Sequence, residues 1–259
     1  MEKKKGISGS TLKMIAIVTM LIDHIGAAVL ARLLMVNGLG ELDQTSTDAI
    51  MQWLSANGAL YGTYTVMRMI GRVAFPIFCF LLVEGFLHTH DVKKYAMRLG
   101  LFALLSEIPF DLAFSSKILE FNYQNVFFTL FIGLLTMIAY RAVEEKEEWG
   151  QAWKVILYIL IVAAGMALAY FLKTDYAEKG VFCIMVLYIF HKKKMWQIIA
   201  GCASFIWETP ALFGFIPIAF YNGTRGWKMK YFFYIFYPAH LLILYLLCYF
   251  MGISGYSAV

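Results

Sequence analysis

The chain has 259 residues, 61% of them hydrophobic, 17% aromatic and only 15% charged. A soluble domain is about half apolar and about a quarter charged, and a helix that crosses a bilayer needs roughly 20 predominantly apolar residues. Several such runs are present, so composition excludes a soluble globular protein and specifies an all-α, polytopic integral membrane bundle. The net charge of +5 follows membrane topology and is no nucleic-acid signature. Cys79, Cys183, Cys202 and Cys248 lie within apolar segments, where thiols behave as small hydrophobes and imply no disulfide framework.

The chain opens MEKKK and then runs apolar from Thr11 to Val36. Asp23 and His24 interrupt that run, so it reads as an uncleaved first span and not as a signal peptide. Further apolar segments fall at about 59–87, 93–114, 124–141, 153–172, 177–191, 195–209, 211–222 and 231–251, giving about nine with the first at 12–36. The stretch 195–222 reads either as a broken pair or as one irregular span. A single domain, 1–259, is expected, without repeats or low-complexity regions.

Lysine and arginine mark the cytoplasmic side of membrane helices. With the N-terminus inside, that side holds Lys3, Lys4, Lys5, Lys93, Lys94, Arg141, Lys146, Lys154, Lys192, Lys193, Lys194, Arg225, Lys228 and Lys230. The opposite side holds only Lys117, Lys173 and Lys179. This asymmetry predicts a multi-pass protein of the cytoplasmic membrane.

An ionisable group at mid-membrane costs a few kcal/mol or more, which makes each one a functional candidate. The first span carries Asp23 and His24, the second Arg68, Arg72 and Glu84, the third Arg98, Glu107 and Asp111, and the last His240. Adjacent helical residues point about 100° apart. Asp23 is therefore expected to pair with a cation on another helix while His24 faces elsewhere. Arg68 and Arg72 share a face, as do Glu107 and Asp111. The second and third spans read as antiparallel neighbours, which puts Arg72 and Glu107 at similar depth as a possible pair. Pro76 frees the carbonyl of Arg72 and predicts a kink there.

The plain alternative is that these charges are structural ion pairs. Against it, two arginines on one face exceed the needs of one carboxylate, and this surplus points to an anionic ligand such as phosphate. Lys13 precedes His24 by eleven residues, which is about 16 Å of rise and within about 20° of the same face. Coenzyme A has that shape, with phosphates at one end and a thioester at the tip of a long arm. A lysine at a helix entrance can equally just snorkel. His88-Thr89-His90-Asp91 reads as a solvated turn. No P-loop, Rossmann fingerprint or zinc spacing occurs, and no metal is expected.

The stretches LKMIAIVTMLIDHIGA, RMIGRVAFPIFCFLLVEGF, KYAMRLGLFALLSEIPFDLAF, TDYAEKG and YNGTRGWKMKYFFYIFYPAHLLIL resemble, in that order, the TraX family. The resemblance runs from Leu12 to about Leu244. It implies a membrane acetyltransferase, since the family is named for the conjugation protein that N-acetylates F-type pilin. The family is also similar to the larger group that acetylates bacterial surface sugars. In that group an arginine, ten residues and a histidine mark the first span. Here Lys13 stands in the arginine's place, and Arg68 and Arg72 are farther apart than that group's paired arginines.

The expected function is acetyl transfer from acetyl-CoA to an amine or hydroxyl of a pilin-like peptide or other envelope acceptor. His24 would be the general base. Lys13, Arg68 and Arg72 would hold the donor, and Asp23, Glu107, Asp111 and His240 would support or orient. The expected partners are acetyl-CoA, membrane lipid and that acceptor. The rival reading is a proton-coupled transporter using the same Asp, Glu and His residues.

Overall fold

The computed structural model describes residues 5–227 and 230–257. Lys3, Lys4 and Lys228, used above for orientation, lie outside these residues, as does the side chain of Lys230. The described residues form helices without strands, plus the isolated bridges Ile7–Tyr221 and Gln124–Thr174.

The first apolar run is one helical rod of α1 (Gly9–His24), a π-helical stretch (Ile25–Leu30) and α2 (Ala31–Val36). Ser8 starts it, its hydroxyl accepting the Thr11 N–H at 3.3 Å and so satisfying one of the orphan donors of a helix N-terminus. The second rod comprises α3 (Thr47–Gly71) and α4 (Ala74–His88). It begins at Thr47 and not near 59, because Ser46 caps a first stretch too polar to register by hydropathy. The expected kink is present: regular helix lapses at Arg72–Val73, four residues before Pro76.

Next come α5 (Val92–Ser115), α6 (Val126–Glu144), α7 (Gln151–Phe171) and α8 (Ala177–Ile189). Asp91 caps α5, accepting the Lys94 N–H at 2.9 Å, and this bond holds its carboxyl below the usual range. The small residue Gly165 lets α7 approach Thr136 of α6 so closely that a methyl there would overlap its hydroxyl. Lipid is as apolar as the helices, so such close backbone approach is what holds membrane helices together.

Among the described residues, five stretches are long and apolar enough to cross a membrane: Gly9–Val36, Thr47–His88, Val126–Glu144, Gln151–Phe171 and Tyr231–Phe250. α5 has the length, 24 residues, but its charges lower its hydropathy. α8, with 13 residues, is about 20 Å long, short of a roughly 30 Å hydrocarbon core.

The chain from 194 to 221 is a hairpin. It comprises α9 (Lys194–Ser204), a 3-10 turn (Thr209–Gly214) and α10 (Phe215–Ala219), and α11 (Lys230–Phe250) follows it. Lys194 Nζ donates to the Tyr221 carbonyl at 2.6 Å, so the excursion ends where it began. The eleven residues of α9 rise only about 16 Å. The expected segments at 195–209 and 211–222 are thus the two short arms of one hairpin with Glu208 at its tip.

Two apolar clusters form the interior. One centres on α4, α6, α8 and the hairpin, the other on the π-helical stretch, α5 and α11. The seam between them holds the charged residues.

Candidate active site

A cavity of about 270 Å³ lies at that seam, walled by Asp23, His24, Arg68, Arg72, Asp175 and Tyr176 among polar residues and by Phe75, Phe78, Phe110 and Phe114 among apolar ones. At about 30 Å³ per water it holds roughly nine waters. The tip of an acyl donor fits such a space.

His24 is the last residue of α1, next to the π-helical stretch. Such widened turns recur at functional sites because they re-aim the side chains beside them. His24 Nδ1 lies 2.6 Å from His240 Nε2, and His240 Nδ1 lies 2.7 Å from the Phe236 carbonyl. The two imidazole planes differ by 2° with centroids 4.9 Å apart. With so short an N–N distance the rings lie edge to edge in one plane, joined by a hydrogen bond and not stacked face to face.

This chain assigns the tautomers. A carbonyl only accepts, so His240 carries its proton on Nδ1 and offers the Nε2 lone pair. His24 must then donate from Nδ1, which leaves its own Nε2 unprotonated. A backbone carbonyl 212 residues away thus determines which nitrogen of His24 is basic. The ring is held further by edge contacts with Phe114 at 5.5 Å and Tyr237 at 5.9 Å.

Asp23 takes the other direction, as expected from helix geometry. Its Oδ2 accepts from Arg68 Nη1 at 2.7 Å, across to α3. Gly71 makes this approach possible, since a Cβ there would overlap the Asp23 side chain. The structure therefore brings together Asp23, His24, Arg68, Arg72 and His240.

It does not bring in the other expected residues. Glu107 accepts from the Asn125 side chain at the start of α6, and Asp111 accepts the Glu120 N–H at 2.8 Å. The expected Arg72–Glu107 pair is corrected: Arg72 Nε meets Glu208 Oε1 at 3.2 Å. The reason is packing, because α5 lies mainly against α6 and α11 while α4 lies against α1, α8 and the hairpin. The inference of surplus positive charge falls with it. The two arginines face Asp23, Glu208 and Asp175, so they are balanced by carboxylates from distant segments. Lys13 is outside the cavity, its Nζ 5.1 Å from the Phe233 ring of α11.

Four wall or flanking residues were not singled out from sequence: Tyr123, Asp175, Tyr176 and Glu208. Tyr123 Oη donates to Asp175 Oδ1 at 2.6 Å. Tyr176 stacks on Phe75 with centroids 3.6 Å apart. Asp175 and Tyr176 belong to TDYAEKG, and an acid beside a tyrosine in a short inter-helix turn was the available signal. Glu208, in WETP, gave none.

The sequence matches the TraX protein family over residues 8–248. The chain belongs to the TraX family. A relative from Dichelobacter nodosus, the probable fimbrial assembly protein FimC of serogroup H1, is 26% identical over 206 residues, covering 70% of this chain and 82% of that protein. No solved structure matches. Asp23, His24, Arg68 and Arg72 at the cavity, and His240 behind His24, lie inside the matched TraX region.

Proposed function

We propose that this TraX-family chain is an integral membrane acyltransferase that moves an acetyl group from acetyl-CoA to an amine or hydroxyl of an envelope acceptor. The observation that carries this reading is the Phe236–His240–His24 chain, which leaves a basic Nε2 on a residue lining the cavity. His24 Nε2 takes the proton of the acceptor nucleophile as its nitrogen or oxygen bonds to the thioester carbonyl carbon. The C–S bond breaks, and the proton passes to the departing thiolate, giving free coenzyme A. A thiolate is a good leaving group, so one base serves both steps.

Arg68 and Arg72, already balanced by carboxylates, suit the negative charge that develops on the carbonyl oxygen better than a phosphate clamp. Lys13 lies outside the cavity on the same helix and is placed to meet the donor's phosphates. In this reading only the acyl end of coenzyme A enters the cavity and its larger body stays outside. The relative's name supports a fimbrial subunit as the class of acceptor. The protein is read as multi-pass in the cytoplasmic membrane, with its lysine-rich end inside.

The test is transfer of radiolabelled acetyl from acetyl-CoA into envelope material. His24→Ala, folded by thermal melting and elution profile, is expected to lower the rate by about 10² to 10⁴, the usual contribution of a general base. Undiminished transfer overturns the assignment.

A further inference from the structure

A second, more open pocket of about 430 Å³ is lined by Tyr170, Lys173, Glu178, Lys179 and Trp207, two lysines against one acid, and it shares Tyr123 and Tyr176 with the cavity of His24. The two tyrosine rings thus border both spaces, and Asp175 of the inner cavity is hydrogen-bonded to one of them. The backbone of this partition is pinned. Asp175 N–H donates to the Gln124 carbonyl at 2.8 Å, Gln124 N–H to the Lys173 carbonyl at 3.0 Å, and Thr129 Oγ1 to Thr174 Oγ1 at 3.0 Å.

Lys173, Tyr176 and Ala177 take left-handed φ values of 52°, 63° and 40°. Side-chain-bearing residues adopt that conformation only where the surroundings impose it, and such turns cluster at ligand clamps and switches. Here the turn aims the Tyr176 ring at Phe75, directly between the two spaces. The Tyr176 ring is held by its stack on Phe75 and a hydrogen bond to Arg72, so the ring that can move is that of Tyr123, latched by one hydrogen bond, Oη to Asp175 Oδ1.

The outer pocket belongs to the lysine-poor end of the bundle. Lys179 Nζ lies 4.9 Å from the Trp207 ring and Lys173 Nζ donates to Asn122 Oδ1 at 2.7 Å. Neither has a carboxylate at ion-pair distance among the described residues. Lys13 and the loop carrying Arg225 meet at the opposite end, where Ser10 N–H donates to the Arg225 carbonyl at 3.0 Å.

We infer that the pocket of Tyr170, Lys173, Lys179 and Trp207 is the entrance for the acyl acceptor, and that Tyr123, Asp175 and Tyr176 gate its passage to His24. This rests on the acyltransferase reading and adds a direction to it. The donor tip arrives from the lysine-rich end and the acceptor from the other, so the acetyl group crosses the bilayer midplane within the protein. The mouth suits a slender polar chain that lays flat groups against aromatic walls, keeps anionic groups by the lysines and threads one amine or hydroxyl inward.

The experiment uses the full chain carrying Cys202→Ser, the other three cysteines being buried. Lys179→Cys in intact cells is expected to react with a membrane-impermeant maleimide. Complete labelling should abolish acetyl incorporation into envelope material, relative to the same variant unlabelled, and leave binding of acetyl-CoA to the purified protein unchanged. Transfer that survives complete labelling, or labelling that weakens acetyl-CoA binding, overturns the assignment. For the gate, Ala27→Cys on the inner wall is labelled with and without Tyr123→Phe. Loss of the latch is expected to speed that labelling about fivefold, the shift that one net hydrogen bond gives. An unchanged rate overturns the gate. This second measurement needs no acyl transfer, so it separates a failed passage from a failed acyltransferase reading, which shows as no acetyl incorporation by the unlabelled protein.

Discussion

At the scale of single residues, the two histidines are one device. His24 Nδ1 and His240 Nε2 are 2.6 Å apart, and His240 is tied back to Phe236. His240 does not line the cavity, so its contribution is positional: it selects the tautomer of His24. His240→Phe keeps a flat ring but offers no lone pair. The His24 proton then redistributes between its nitrogens, and transfer is expected to fall about tenfold, the equivalent of one hydrogen bond of ~1.4 kcal/mol. Acetyl-CoA binding should stay unchanged. The measurement that separates this from a packing defect is ¹⁵N NMR of labelled histidine, where the Nδ1–H tautomer of His24 should cease to dominate. The split between Asp23 and His24 was legible in sequence, because neighbours on a helix must diverge by about 100°. The histidine pair was not, because its partners are 216 residues apart and no local period relates them.

At the scale of elements, the first rod shows what a period of 3.6 conceals. The π-helical stretch Ile25–Leu30 has no signature in its apolar letters, IGAAVL, yet it sets the wall beside His24. It is followed by Arg32, which is fully buried and has no carboxylate partner among the described residues. Its guanidinium donates instead to the Ala28 carbonyl at 2.9 Å, the Leu112 carbonyl at 3.3 Å, Ser116 Oγ at 2.9 Å and the Tyr256 carbonyl at 2.9 Å, and also to the Ala113 carbonyl. One side chain thus joins the widened turn, the unsatisfied C-terminal carbonyls of α5 and the tail after α11. A lysine ammonium carries the same charge but cannot span these acceptors at once. Arg32→Lys is expected to cost about 3 kcal/mol, lowering Tm in detergent by about 6–12 °C. A Tm within a degree of the parent would show that the clasp is dispensable. By contrast, the break at Arg72–Val73 was legible, because Pro76 removes a donor wherever it falls.

At the scale of the whole molecule, the lysine asymmetry and the hairpin constrain each other. A hairpin that leaves and returns at one end adds no net crossing, so reading 195–222 as two spans or as one hairpin leaves every later loop on the same side. The orientation expected from the charge bias therefore does not depend on the architecture of this stretch, whose short helices look alike in sequence whether they cross or turn back. The difference lies at the tip. In the structure Glu208 sits at the start of the 3-10 turn and holds Arg72 at 3.2 Å, so the tip is tied to the bundle through this ion pair although Ile206 and Trp207 beside it are exposed. A loop between two full crossings would instead stand in solvent and accept inserted residues, as exposed loop tips generally do. A short Gly-Ser epitope placed between Glu208 and Thr209 is therefore expected to block accumulation of folded protein. The same epitope between Asp43 and Gln44, in the exposed connection between α2 and α3, should be tolerated and be detected by antibody only from the lysine-poor side in intact cells. Normal folding with the epitope at 208 would restore two full crossings. Antibody access to the epitope at 43 from the cytoplasm alone would invert the bundle, and with it the side from which the acceptor must come.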